Sequence, residues 1–337
     1  MTEQQSRRVG AEPAGPLGQS AAHPHTGSVA VPGEPSELSL AYETGVEIQA
    51  RSQWAYARRR FFRHRLAMAS LVMLLVIIIA GVFADRFAPY AYDQINPILI
   101  GQASAPTIEG KHFFGTDLLG RDYFSRVLYG IRTSIKVAFI VSLLSTAIGT
   151  AIGAIAGYFG GWVDNALMRF TDLVLTLPGL AVLLTASALL GQGDPIRVAI
   201  ILALLAWTTI ARIVRGSFLS LREKEFVEAA KASGSGDLRI ILRHMLPNAI
   251  GPIVVNATLV VAAAILIEST LSFLGFGIQP PTPALGSLIA EGQDEMLDRW
   301  WLVTFPGLTI VLIVLCINFI GDGLRDALDP TQRRVRA

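Results

Sequence analysis

The sequence predicts an all-α membrane protein with about six transmembrane helices. Three observations lead there. Apolar residues make up 52% of the 337, and charged residues only 16%, where soluble domains average about 25% charged. The apolar residues are gathered into runs near the roughly 20 residues that cross about 30 Å of hydrocarbon as a helix. Basic residues cluster beside alternate run ends, the bias that marks cytoplasmic loops.

Residues 1–50 are polar and rich in Pro, Gly, Ala and Ser. Such a segment buries too little apolar surface to offset its ordering entropy, so a disordered cytoplasmic tail is expected. Residues 51–133 hold the first span, Leu66–Phe87, and a long extracytoplasmic loop. That run begins too late for a cleaved signal peptide and reads as an anchor. Arg58, Arg59, Arg60, Arg63 and Arg65 precede it and place the N-terminus inside. Residues 134–330 form the core, with spans at Ser134–Tyr158, Phe170–Leu190, Ile196–Phe218, Ala249–Phe273 and Leu302–Ile320. Pro178, Pro252 and Pro306 fall inside or at the ends of these runs, which membrane helices tolerate because neighbours serve the freed carbonyls. Counting through, the insert at 219–248 and the basic tail 331–337 are cytoplasmic. The outer face holds 88–133, Gly191–Pro195 and Gly275–Trp301.

Several function classes fall away. A net charge of +2 gives no electrostatic case for nucleic acid. The single cysteine, Cys316, allows no intrachain disulfide, and the five histidines form no metal-binding pair. Gly110-Lys111 is followed by His112 and lacks the upstream glycine of a phosphate-binding loop. No nucleophile–base pair argues for an enzyme. No internal repeat favours an inverted-repeat secondary transporter.

The insert EFVEAAKASGSGDLRIILRHMLPN interrupts the apolar spans with a charged, glycine-punctuated segment. Leu219–Ser233 reads as a short helix ended by a left-handed Gly234. Ser235 or Asp237 can cap a second helix, Leu238–Met245, which Pro247 ends before Asn248 caps the next span. Ala229 and Ala230 permit close approach of another surface, and Glu228 offers a charge. A solvated surface loop is the alternative reading.

Gly149, Gly153 and Gly157 recur every four residues in one span. That spacing lets two membrane helices approach closely, within this chain or against a partner subunit. Glu268 lies inside the fifth span, where ionisable groups face a cavity or a partner. With Asn256 in the same span, it is a candidate for the translocation path or its gate; a structural hydrogen bond is the other reading. Gly115-Thr116-Asp117 and Gly120-Arg121-Asp122 form a charged, turn-rich outer patch. It could receive a binding protein or simply pack as a solvated loop over the bundle.

Glu228-Ala229-Ala230, Gly234 and Leu246-Pro247 resemble the EAA loop of permease subunits in binding-protein-dependent ABC importers. His244 stands where that pattern has Ile. HFFGTDLLGRDYFSRVLYGIRTSI, GYFGGWVDNALMRFTDLVLTLPG, LSFLGFGIQPPTPALGSLIAEG, WWLVTFPG and GDGLRDALDP resemble the dipeptide/oligopeptide (DppC/OppC-type) permease family, from about Arg58 to Pro330. The resemblance implies a type I ABC importer permease fold with a cytoplasmic EAA coupling helix in an inner membrane. It implies that Phe226, Glu228, Ala229, Ala230, Gly234, Asp237, His244, Leu246 and Pro247 couple to an ATPase. The implied partners are a DppB/OppB-like second permease, two ABC ATPase subunits, an extracytoplasmic substrate-binding protein and membrane lipid, with no nucleic acid. ATP and Mg would sit on the ATPase subunits, so no cofactor is expected in this chain. Dipeptides or oligopeptides are the implied cargo, with nickel or another small solute as an alternative. An ion-coupled transporter using Glu268 and a non-transporting scaffold are the competing classes.

Overall fold

Backbone N–H and C=O groups find no partner in hydrocarbon, so each apolar run must satisfy its own as helix. The computed structural model describes residues 53–191 and 193–328; the expectations for the 1–50 and 331–337 tails lie outside them. The described residues give α1 (Gln53–Arg63), α2 (Arg65–Val82), α3 (Ala84–Phe87) and α4 (Tyr123–Phe159). They continue with α5 (Gly161–Thr176), α6 (Gly179–Leu190), α7 (Pro195–Arg222), α8 (Glu225–Ala232), α9 (Asp237–Phe273), α10 (Leu285–Gly292) and α11 (Trp301–Leu328). Among them α2, α4, α7, α9 and α11 are each long and apolar enough to cross a membrane, and α5 with α6 forms a sixth candidate, bent by 82°.

Three expectations are corrected. The second span begins at Tyr123 rather than Ser134, because Asp122 caps the helix by accepting from the Ser125 amide at 2.8 Å. The outer loop is therefore shorter than 88–133. The third span is a broken pair, not one rod over Phe170–Leu190. Leu177 has an extended backbone (ψ 138°) ahead of Pro178, since proline disfavours a helical residue before it. Pro247 does not end a helix. The backbone widens into a π-helical turn over Ile240–Met245 within α9, and the helix runs on through Pro247 without a break. The wider turn comes just before Pro247, whose ring would press on the Arg243 carbonyl in regular α-helix.

Two apolar clusters lie along the bundle. The outer one gathers Val127, Ile131, Val141, Leu202, Ile265, Leu271, Leu288 and Ile313. The cytoplasmic one joins Tyr158, Val214 and Phe218 to Val227, Ile240 and Met245. Gly149, Gly153 and Gly157 hold α4 against α7 of the same chain. A Cβ on Gly149 would lie 2.6 Å from the Trp207 carbonyl, and one on Gly157 2.5 Å from the Phe218 Cβ. Gly153 sits as tightly on Ala211 and Val214. The close approach these glycines allow is thus used inside the chain.

Candidate functional site

The cytoplasmic insert folds as a hairpin. The helix read at Leu219–Ser233 is split: α7 stops at Arg222, Lys224 is extended, and α8 starts at Glu225. At its far end Gly234 is left-handed (φ 76°). The Ser235 amide donates to the Ala230 carbonyl and the Gly234 amide to that of Lys231, the paired bonds of a Schellman turn. The second limb is capped by Gly236 without a side-chain bond. Neither Ser235 nor Asp237 acts as the expected cap.

Asp237 instead accepts from the Tyr158 hydroxyl at 2.6 Å. Asn248 does not cap a span either; its side-chain amide donates to the His244 carbonyl at 2.6 Å, within the continuous helix.

Val227, Ala230, Ile240, Ile241 and Met245 face inward and are buried. At roughly 1.5–3 kcal/mol for each large buried aliphatic, they outweigh the one charged hydrogen bond at about 1.5–3 kcal/mol. Apolar packing seats the hairpin, and the Tyr158–Asp237 bond gives it direction.

The outward side is bare. Glu228 and Ala229 are exposed, and Phe226 is 40% and Leu238 69% exposed. The two alanines divide: Ala229 faces out, Ala230 in. His244 and Leu246 are half-buried and Pro247 is exposed. The predicted residues therefore share one element, presenting Phe226, Glu228, Ala229 and Gly234 outward.

The other candidates lie elsewhere. Glu268 is fully buried. Its carboxylate accepts from Ser134 Oγ at 2.8 Å and Ser272 Oγ at 2.7 Å. Ser272 Oγ in turn accepts from the Ile278 amide at 3.1 Å, so this acid ties α4, α9 and the outer connection together. Asn256 is on a more open face of α9, its side chain donating to the Pro252 carbonyl at 2.8 Å.

The outer patch is packed down rather than solvated. Thr116, Asp117 and Asp122 are buried. Asp117 accepts from the Leu119 and Arg121 amides, both at 2.9 Å. Arg121 Nε lies 2.6 Å from Asp117 and its Nη2 2.9 Å from Glu291. Arg126, fully buried, reaches Asp117 at 2.9 Å and Glu291 at 2.7 Å. Partial burial works against the Glu291 carboxylate. Arg126 and then Arg121 nevertheless hold it below the usual carboxylate range. A cavity of about 260 Å³ opens beside this network, lined by Asp117, Arg121, Tyr123 and Glu291 among others.

Sequence reasoning missed Arg126, read as a loop charge, and Tyr158, the last tyrosine of an apolar run. The signal for Arg126 was its place four residues after Asp122, inside the first turn that Asp122 caps. Tyr158 carries no local signal, because its partners come from the insert.

Comparison with known proteins adds the rest. Residues 149–334 match a family described as binding-protein-dependent transport system inner membrane component. Residues 52–106 match the N-terminal TM domain of oligopeptide transport permease C. The oligopeptide transport system permease protein OppC of Escherichia coli K12 is 43% identical over 298 residues, 88% of this chain and 98% of that protein. The protein of the same name from Mycobacterium tuberculosis H37Rv is 41% identical over 279 residues, 82% of this chain and 94% of that one. The glutathione transport system permease protein GsiD of Escherichia coli O6:K15:H31 is 39% identical over 288 residues, 84% and 92% respectively. A chain of the inward-facing MetNI methionine ABC transporter aligns with TM-score 0.49 and 18% identity, over 60% of this chain and 96% of that one.

Proposed function

The chain belongs to the family of binding-protein-dependent transport system inner membrane components, and on that premise we propose that it moves oligopeptides, driven through its cytoplasmic hairpin. It is the permease half of an ABC importer, a multi-pass inner-membrane subunit and not an enzyme. The proposed assembly adds an OppB-like second permease, two ATPase subunits that hold ATP and Mg, and an extracytoplasmic binding protein that delivers the peptide. The termini and the hairpin lie in the cytoplasm, as the basic clusters argue.

One observation carries the coupling role. The hairpin is seated by buried Val227, Ile240 and Met245, yet among the described residues Phe226, Glu228 and Ala229 stay exposed. A surface built so firmly and left open supports a socket for another protein. Movement of that socket would tilt α7, which leads into it, and α9, whose first turns form its second limb, and so switch the translocation path between the two faces of the membrane. Gly234 holds the turn, while Asp237, His244, Leu246 and Pro247 shape the second limb, the first turns of α9. Glu268 serves this function as a buried brace, and Asn256 marks the face of α9 offered to the path.

The test is replacement of Glu228 and Gly234 together, with uptake, ATP hydrolysis and co-purification of ATPase subunits measured. Uptake is expected to fail while the chain still inserts. Survival of both uptake and ATPase docking would remove the coupling role. Glutathione, itself a tripeptide, is the second reading for the cargo, on the strength of the 39% identical relative named for it. Competition between labelled tetrapeptide and unlabelled glutathione in uptake separates the two.

A further inference from the structure

Tyr158 occupies an unusual position for the last tyrosine of a membrane helix. Its side chain is buried at the cytoplasmic end of α4, among Phe218 of α7 and Val227, Ile240 and Met245 of the hairpin. Its hydroxyl donates to Asp237 Oδ1 at 2.6 Å, on the second limb. Its ring lies under the Lys231 ammonium, 5.5 Å from the ring centroid, on the first limb. Its carbonyl accepts a long bond from Arg222 Nη1 at 3.4 Å, at the end of α7. One residue therefore meets both limbs of the hairpin and the end of the helix that leads into it.

The chemistry at the two contacts is complementary. A tyrosine face attracts a cation through its quadrupole, while its hydroxyl makes a strong bond to a carboxylate. Lys231 and Asp237 are oppositely charged and stand on either side of the Schellman turn. Tyr158 thus senses the hairpin's orientation as a whole rather than one limb alone. Apolar packing in the same cluster is non-directional and would let the hairpin rock on α4. The hydroxyl–carboxylate bond restrains that rocking.

We propose that Tyr158 is the positioning residue that transmits hairpin movement to α4, so that the ATPase stroke drives α4 together with α7 and α9. Its partners are Asp237 for direction and Lys231 for registry. This rests on the coupling role proposed above. Loss of the hydroxyl alone should leave the hairpin seated but slipping: ATP is hydrolysed without moving the path.

The experiment uses the whole complex in proteoliposomes with its binding protein, and radiolabelled trialanine as the probe. The variants are Tyr158→Phe, Asp237→Ala and the pair together. Tyr158→Phe keeps the ring, the packing and the Lys231 contact. ATPase subunits should co-purify at the wild-type level, while ATP consumed per trialanine carried rises at least threefold. The double variant should be no worse than either single one, because both remove the same bond. Lys231→Met should raise the ratio by a smaller factor.

An unchanged ratio in Tyr158→Phe overturns the proposal, and so do effects of the two substitutions that multiply. Loss of ATPase co-purification from Tyr158→Phe overturns it in favour of a purely structural role. If the wild-type chain itself binds no ATPase subunits, the coupling role fails and the inference falls with it.

Discussion

The outer end of this molecule and its cytoplasmic hairpin treat their charges in opposite ways. At the outer end, Arg121 and Arg126 are paired with Asp117 and Glu291, and Asp122 is hydrogen-bonded to His112 Nδ1 at 2.8 Å. These charges are spent within the chain. At the cytoplasmic end, Tyr158 takes up Asp237 and Lys231, while Glu225, Glu228 and Phe226 are turned outward. The outer end is closed on itself; the hairpin leaves Phe226 and Glu228 exposed, the surface that the proposed coupling role would use. Substitutions should therefore cost stability at the outer end and coupling at the inner end.

The largest effect on stability is expected from Arg126→Ala. The guanidinium is fully buried and its removal strands Asp117, also buried, without its second cation. Breaking a buried pair from one side costs about 3–5 kcal/mol. The variant should lose most of its folded, detergent-soluble yield and melt far below wild type by intrinsic-fluorescence scanning. A wild-type melt would erase the contrast between the two ends.

Next comes Gly153→Val, on α4 near its cytoplasmic end. Its Cβ would enter the backbone of Ala211 and the Val214 side chain. Overpacking of this kind costs about 1–3 kcal/mol, and α4 and α7 cannot separate without breaking both apolar clusters. Gly153→Ala should be milder, and the melting order wild type, Ala, Val checks it.

The cap should also respond to acid. Arg126 and Arg121 depress the folded pKa of Glu291 below its ordinary 4.5, against partial burial. A depressed carboxylate stabilises fully above the ordinary value and loses that contribution as pH falls through the lower folded one. The melting temperature should therefore drop below pH 4.5, and Glu291→Gln should flatten that part of the profile. The hairpin offers no comparable carboxylate pair, so coupling-surface variants should leave the acid limb unchanged.

How much of this was legible in the sequence differs between the ends for a physical reason. The apolar runs announced the spans because lipid demands about 20 apolar residues whatever the tertiary structure. Gly234 announced the turn because only a residue without a Cβ enters that backbone region cheaply. The bend at Leu177-Pro178 was visible only as a proline; whether a membrane proline kinks or breaks a helix depends on what packs beside it. The widened turn before Pro247 was hidden likewise. Arg126 falls within the stretch 88–133 that the sequence assigns to the outer loop, and its partners lie nine residues back and 165 residues ahead. Glu268 stands out as an acid in an apolar span; Ser269 and Ser272 lie beside it on α9, but Ser134 reaches it from α4, 134 residues away, and that partner is not legible locally. Legibility follows contact range: the hairpin's turn is local and was read, while the cap is non-local and was not.

Within the hairpin, Gly234→Ala sets a middle value. No atom lies within 4 Å of the added Cβ, so the cost is the left-handed backbone alone, about 1–2 kcal/mol. Because that cost is local, the bundle should melt nearly as wild type while uptake falls. Gly234→Asn, which tolerates this conformation better, should recover part of the uptake.

The smallest effect on stability and the sharpest test of the comparison come from Phe226→Ala. Phe226 is 40% exposed and projects from the first turn of α8, so its removal takes little apolar area out of the core. A surface substitution of this kind changes stability by about 0.5 kcal/mol or less. If the hairpin's outer side were ordinary solvated surface, uptake would be equally untouched. If it is a socket, an exposed aromatic on it is the side chain a partner would bury, and interface hot-spot aromatics carry about 2 kcal/mol or more of binding. The expected result is a melt within error of wild type, with ATPase subunits lost on washing and uptake reduced at least tenfold. Arg126→Ala should give the reverse for whatever protein survives folding: less of it, but ATPase-bound. A Phe226→Ala protein that both melts and transports as wild type would show the two ends to be alike.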